Sequence, residues 1–118
     1  MFNALIIDDD VSSRGIFNKA LRRLGCNVRE AETAEKGISQ LSSTTFNIVF
    51  AALCIKNIGA RGLARWIKAH KPDTKFFIIT SWKGKLERNI LAYEGIDGVI
   101  HKPILFAEIR DILLEKLG

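Results

Sequence analysis

Three consecutive acids, Asp8-Asp9-Asp10, follow directly on the apolar run Ala4-Leu5-Ile6-Ile7. Adjacent carboxylates supply hard oxygen donors, and a cation beside them relieves their mutual repulsion. Thr80 holds the same place after Phe76-Phe77-Ile78-Ile79, and Lys102 after Val99-Ile100-His101. The run Ile48-Val49-Phe50-Ala51 ends differently. Its next residue is Ala52, and no Asp or Glu occurs from Lys36 through Pro72. The two cysteines, Cys26 and Cys54, have neither metal-ligand nor CxxC spacing and are read as reduced thiols. His70 lies near a helix end, where an imidazole suits the dipole. His101 points away from Lys102 by strand alternation. Neither histidine is read as a ligand or a base.

The apolar runs are continuous rather than alternating, as strands buried on both faces of a parallel sheet require. Asn27 to Ala31 is a poorer strand, with only Val28 and Ala31 clearly apolar, and belongs at a sheet edge. Helical stripes lie between the runs: Ile16, Ala20, Leu21 and Leu24, closed by Gly25; Ile38 and Leu41, capped by Thr33; Leu63, Trp66 and Ile67, ending near Lys71 before Pro72. Leu86, Ile90 and Leu91 mark a fourth helix ending around Gly95, and Ile109, Ile112, Leu113 and Leu117 a fifth. Asp10 is read as the cap of the first. Five β-α repeats with right-handed crossovers make an open, doubly wound α/β sheet with helices on both faces. Chemistry in such sheets sits beyond the carboxyl ends of the strands, where the acids, Thr80 and Lys102 stand.

The chain has 118 residues, 47% hydrophobic and 26% charged, with a formal charge of +5. That is enough apolar material for one core and one domain, spanning 1–118. No stretch approaches a membrane span, and Met1-Phe2-Asn3-Ala4 offers no basic leader, so a cytoplasmic location is expected. The basic balance permits acidic partners without demanding them. Arg61, Arg65 and Lys68 share a face of the third helix, and Arg14, Lys19, Arg22 and Arg23 charge the first. A solvated face is the default reading. A basic nucleic-acid-binding or adaptor module is the alternative function, although nucleic acid is not expected as a direct ligand, because no interleaved aromatics or phosphate loop accompany the charges.

Four segments together resemble the receiver domain of two-component response regulators over essentially the whole chain: Ile6-Ile7-Asp8-Asp9-Asp10, Phe46-Asn47-Ile48-Val49-Phe50, Ile78-Ile79-Thr80-Ser81, and Gly95 through Pro103. The resemblance implies a flavodoxin-like fold, five parallel strands in the order 2-1-3-4-5 with five helices. It implies that Asp8 and Asp9 match the acidic pair that helps hold Mg²⁺. Thr80 matches the hydroxyl that bonds the phosphoryl oxygen, and Lys102 the lysine that pairs with the acceptor, followed by Pro103 across a bond commonly cis. The acceptor aspartate of the family falls on Ala52, whose methyl cannot take a phosphoryl group. Val99 stands at the place of the family's aromatic switch. Lys56 replaces a usual proline, and the stretch Asn57 to Gly62 reads as a lengthened loop into the third helix.

The resemblance with these departures implies a degenerate receiver that is not an enzyme, because the nucleophile is missing. No cofactor is required, and Mg²⁺ is held only weakly by Asp8 and Asp9. Lys102 is expected to pair with one of those acids in place of much of the metal's charge. Trp82, in the loop after the fourth strand, is expected to lie exposed and to cover the emptied pocket. The module would act on a protein partner (a kinase, an output domain or a second copy) through the fourth helix, fifth strand and fifth helix, with Arg88, Tyr93, Glu108 and Asp111 as contacts. Arg88 and Asp111 pairing across a two-fold axis would give a weak homodimer. No membrane contact is expected.

Overall fold

The computed structural model describes residues 2–53, 55, 58–82 and 94–118. Its sheet has strands β1 (Asn3–Ile7), β2 (Asn27–Ala31), β3 (Ile48–Ala52), β4 (Lys75–Thr80) and β5 (Gly98–His101), with helices α1 (Val11–Arg23), α2 (Ala34–Ser43), α3 (Gly59–His70) and α4 (Phe106–Lys116). All strand pairs are parallel and the order is β2-β1-β3-β4-β5. Four helices, not five, lie among the described residues. The helix expected around Leu86 to Gly95 falls largely in 83–93, outside them.

The two faces of the sheet bury separate cores. Leu5, Ile7, Val49, Ala51, Phe76 and Ile78 pack against Leu41 of α2 and Leu63, Ala64 and Ile67 of α3. On the other face Ile6, Phe50, Phe77, Ile79 and Ile100 meet Phe17 and Leu21 of α1 and Ile109 and Leu113 of α4. Alternate residues of one apolar run therefore feed opposite cores, which is why the runs are unbroken. As expected, β2 is the edge strand, and Arg22 and Gln40 donate to its outward carbonyls at Val28 and Glu30.

Two expectations need correction. In α1 the stripe is turned by one residue: Phe17 is fully buried while Ile16 is 57% exposed. Both are apolar, and the choice falls to Phe17 because its ring packs on Phe50 at a centroid distance of 4.6 Å. The supposed long loop after β3 is short, because α3 already begins at Gly59 and includes Ala60, Arg61 and Gly62. Gly62, expected in that loop, lies inside the helix, whose inner face is buried by Ala60, Leu63, Ala64 and Ile67, while Gly59 starts it at φ +70°. Lys56 and Asn57 lie outside the described residues. The caps agree with expectation. Asp10 accepts from Ser12 N and Ser13 N, Thr33 Oγ1 accepts from Lys36 N, and Gly25 follows α1 at φ +87°.

Candidate functional site

The sheet brings the singled-out residues to one level. Ile7 is paired with Ala51, Ala52 with Ile79, and Thr80 with His101, so Asp8, Ala52, Thr80 and Lys102 lie at adjoining strand ends. Backbone bonds carry the ladder one residue further: Asp8 N donates to Ala31 O at 3.0 Å, Leu53 N to Ile79 O at 2.9 Å, and Lys102 N to Thr80 O at 2.8 Å. The Lys102–Pro103 bond is cis.

Asp8 is 2% exposed. Its Oδ1 accepts from Asp10 N at 2.9 Å, while its Oδ2 has no hydrogen-bond donor among the described residues. Lys102 Nζ stands 3.6 Å from that oxygen, an ion pair beyond hydrogen-bond reach. Of the two acids considered for Lys102, the partner is therefore Asp8; Asp9 is exposed. Asp10 serves the helix: its carboxylate accepts from Ser13 Oγ at 3.0 Å, and that hydroxyl, with the Ser13 amide, holds its pKa below the usual aspartate value.

Thr80 is buried, and its Oγ1 accepts from Trp82 N at 2.9 Å. Trp82 itself is 50% exposed, as a loop position should be. Val99 is half-buried and packs against the core on the α2–α3 side. Sequence reasoning had left Arg14 as surface charge. In the structure it donates through Nη1 to Asp8 O at 2.7 Å and through Nε to Glu30 at 2.7 Å, clamping the end of β1 to the edge strand. An arginine six residues after an acid, in the first turn of the next helix, was the available signal.

The remaining candidates are dispersed. His70 stacks on Trp66 and donates through Nδ1 to Trp66 O at 2.9 Å, and His101 is exposed. Arg61 pairs with Glu94. Cys26 is buried, and burial pushes its thiol pKa up; Cys54 lies outside the described residues. Of the proposed partner face, Arg88 and Tyr93 also lie outside them. Glu108 is half-buried on α4, and Asp111 is exposed and bonded to neighbouring Arg110 at 3.2 Å. No helix among the described residues is long and apolar enough to cross a membrane.

A Mg²⁺ ion prefers octahedral oxygen donors, and the family motif supplies three carboxylates. The donor-free Asp8 Oδ2 suits a cation. However, Asp10 is committed to the cap, Ala52 offers a methyl, and no group of three ligating side chains occurs among the described residues. The residues present supply two of three carboxylates, an incomplete fit.

Comparison with known proteins follows the same lines. The family described as "Response regulator receiver domain" matches residues 4–114. The chain is 21% identical over 98% of its length to Transcription factor SKN7 of Saccharomyces cerevisiae, of which it spans 19%. It is 26% identical over 92% of its length to Ethylene receptor 3 of Oryza sativa subsp. japonica, of which it spans 13%. It thus spans less than a fifth of these relatives. Its fold is similar to a receiver domain (CheY-like) from Methanospirillum hungatei, TM-score 0.89, 24% identity, covering 99% of this chain and 94% of that one. It is also similar to one from Methylobacillus flagellatus, TM-score 0.87, 23% identity, covering 98% of each.

Proposed function

The chain belongs to the response regulator receiver domain family of two-component signalling, and from that premise we propose that it works as a pseudo-receiver. It would carry a signal by presenting a surface to a protein partner, without aspartyl phosphorylation. One observation carries the reading: at the end of β3, level with Asp8 and Thr80, stands Ala52. The phosphoryl acceptor of a receiver is a carboxylate nucleophile, and an alanine methyl has no lone pair to attack with. Supporting groups survive around the missing one. Lys102 pairs with Asp8, and Thr80 Oγ1 accepts from the Trp82 amide.

On this reading the domain is not an enzyme and needs no cofactor, and Mg²⁺ binds only weakly through Asp8 and Asp9. Candidate partners are a kinase, an output domain or a second copy, met through the face formed by α4, β5 and the segment before it. Incubation with a small-molecule phosphodonor and Mg²⁺, followed by intact-mass spectrometry, tests the proposal. No hydroxylamine-labile phosphate adduct is expected; such an adduct would overturn the reading and require another acceptor.

A further inference from the structure

At the amino-terminal end of the sheet, the edge strand β2 borders a cleft of about 360 Å³. That volume falls in the range that small-molecule ligands occupy. Arg22 of α1, Arg29 of β2 and Thr44 at the end of α2 line it, with Val28 and Phe46, 8% and 3% exposed, behind them. Asn3 and Asn27 close one side and are bonded to each other at 3.2 Å. The lining thus joins two guanidiniums, a hydroxyl and a buried apolar wall, and it holds no acid.

The positive charge there is uncompensated. Arg29 is exposed, with no ion-pair or hydrogen-bond partner among the described residues. Arg22 bonds neutral groups, through Nε to Asn18 Oδ1 at 2.6 Å and through Nη2 to Val28 O at 3.5 Å, which holds its guanidinium over the strand edge. Glu30, the one acid of β2, is taken by Arg14 at 2.7 Å and Asn18 at 2.6 Å. The connection from α2 to β3 brings no other, because no Asp or Glu occurs from Lys36 through Pro72. The carboxyl ends of α1 and α2 point to this end of the sheet as well, each worth about half a unit of negative charge. Two full guanidinium charges exceed that. Exposed arginines are ordinarily just solvated. Two of them around an acid-free cleft with an apolar wall suit an anion that has a body attached.

We propose that this cleft binds the phosphate monoester of a small polar molecule, of the size of a pentose phosphate. Arg29 and Arg22 take the phosphoryl oxygens in forked bonds. The Val28 N–H, which faces outward from the edge strand with its carbonyl, and the Thr44 hydroxyl supply neutral donors. The body of the ligand rests against Val28 and Phe46. Two guanidiniums with no carboxylate between them favour a phosphate dianion over a singly charged carboxylate. The cleft lies at the opposite end of the sheet from Ala52, and the inference does not depend on the pseudo-receiver reading.

Titration of the isotope-labelled protein with ribose 5-phosphate at constant ionic strength, followed by amide chemical shifts, provides the test. Ribose, inorganic phosphate and acetyl-Gly-phosphoserine-Gly-amide are the comparison ligands. Saturable shifts are expected at Asn27 to Arg29 and Thr44 to Phe46 with ribose 5-phosphate, the same amides moving more weakly with inorganic phosphate and not at all with ribose. Arg29→Gln is expected to weaken binding about fivefold or more, through loss of a charge-assisted bond. Because Arg29 is exposed, the rest of that variant's spectrum should stay unchanged. No saturation, shifts at Thr80 and Lys102 instead, equal shifts with ribose, or binding undiminished in Arg29→Gln would each overturn the proposal. Equal affinity for inorganic phosphate would reduce the cleft to an unspecific anion site, and tighter binding of the phosphoserine peptide would assign it to a phosphorylated chain. Either result overturns the small-molecule assignment.

Discussion

At the amino-terminal end of the sheet, side chains close the backbone of neighbouring strands. Asn47 Oδ1 accepts from Asn3 N at 2.7 Å, Asn27 Nδ2 donates to Asn3 Oδ1 at 3.2 Å, and buried Thr74 donates through Oγ1 to Phe46 O at 2.9 Å. At the carboxyl-terminal end, Asp8 Oδ2 is buried without a donor among the described residues, and Val11, Ile58, Trp82 and Leu105 stand in solvent. The amino end closes these groups in internal bonds; the carboxyl end also bonds Asp8 Oδ1, Asp8 O and Thr80 Oγ1, but leaves Asp8 Oδ2 without a donor among the described residues and keeps apolar surface exposed. Groups left unsatisfied in an otherwise well-bonded domain gather where the molecule meets something else. The difference between the ends is one of bonding and exposure, and it can be broken by substitution.

The middle of the sheet should be indifferent to it. Phe50 is fully buried between Phe17 at 4.6 Å and Phe77 at 5.8 Å. Phe50→Ala is expected to cost about 3–5 kcal/mol through lost burial and the cavity left behind. The loss should lower the urea midpoint without favouring either end in hydrogen exchange. A loss below ~1 kcal/mol would mean that the two-faced core described here does not carry the fold.

At the bonded end, Thr74→Val keeps shape and removes the hydroxyl bond to Phe46 O. With one partner gone the carbonyl loses its donor, at a cost of about 1–2 kcal/mol. Chemical denaturation reads this directly. A neutral result would show that this end is no more dependent on its bonds than the other.

Ala52→Asp addresses the uncommitted end. A third carboxylate beside Asp8 and Asp9 should tighten Mg²⁺ about tenfold, or about 1.4 kcal/mol, by isothermal titration. Without metal, the added charge faces Asp8 and should lower stability slightly. Equal Mg²⁺ affinity in both proteins would mean that Ala52 does not face the acid pair. The substitution restores no aromatic group at Val99, so a full switch is not expected from it.

The same asymmetry governs what the sequence made legible. The strands β1, β3 and β4 stood out because burial on two faces forces unbroken apolar runs, and the edge position of β2 followed from its thin apolar content. The level alignment of Asp8, Ala52, Thr80 and Lys102 was readable because each ends such a run. The α1 register was not, since Ile16 and Phe17 both satisfy a helical stripe and only the ring contact with Phe50 separates them. The start of α3 was hidden by Gly59, which enters the helix at φ +70°, and by Gly62, whose low helix propensity is overridden by packing around Leu63 and Ile67. The Arg14 clamp and the apolar rim depend on which side chains converge in space, and composition carries no such information.

The smallest expected effect is the most telling for the comparison. Removing half of a buried ion pair ordinarily costs several kcal/mol, because the remaining charge stays buried. Asp8→Asn should behave otherwise. The substitution keeps an oxygen to accept from Asp10 N, as Oδ1 does now at 2.9 Å. It deletes the charge on a buried oxygen that has no hydrogen-bond donor among the described residues, so no hydrogen bond is lost with it. The charge left behind is Lys102, which at 26% exposure can hydrate. The stabilising attraction lost and the burial cost relieved should therefore nearly cancel, leaving a change within ~1 kcal/mol of zero, with an increase in stability within that range. Urea unfolding of Asp8→Asn beside Thr74→Val measures the contrast in one experiment. If the Asp8 variant lost more stability than the Thr74 variant, the carboxyl end would be held by its ion pair as firmly as the amino end is by its bonds, and the asymmetry drawn between them would not stand.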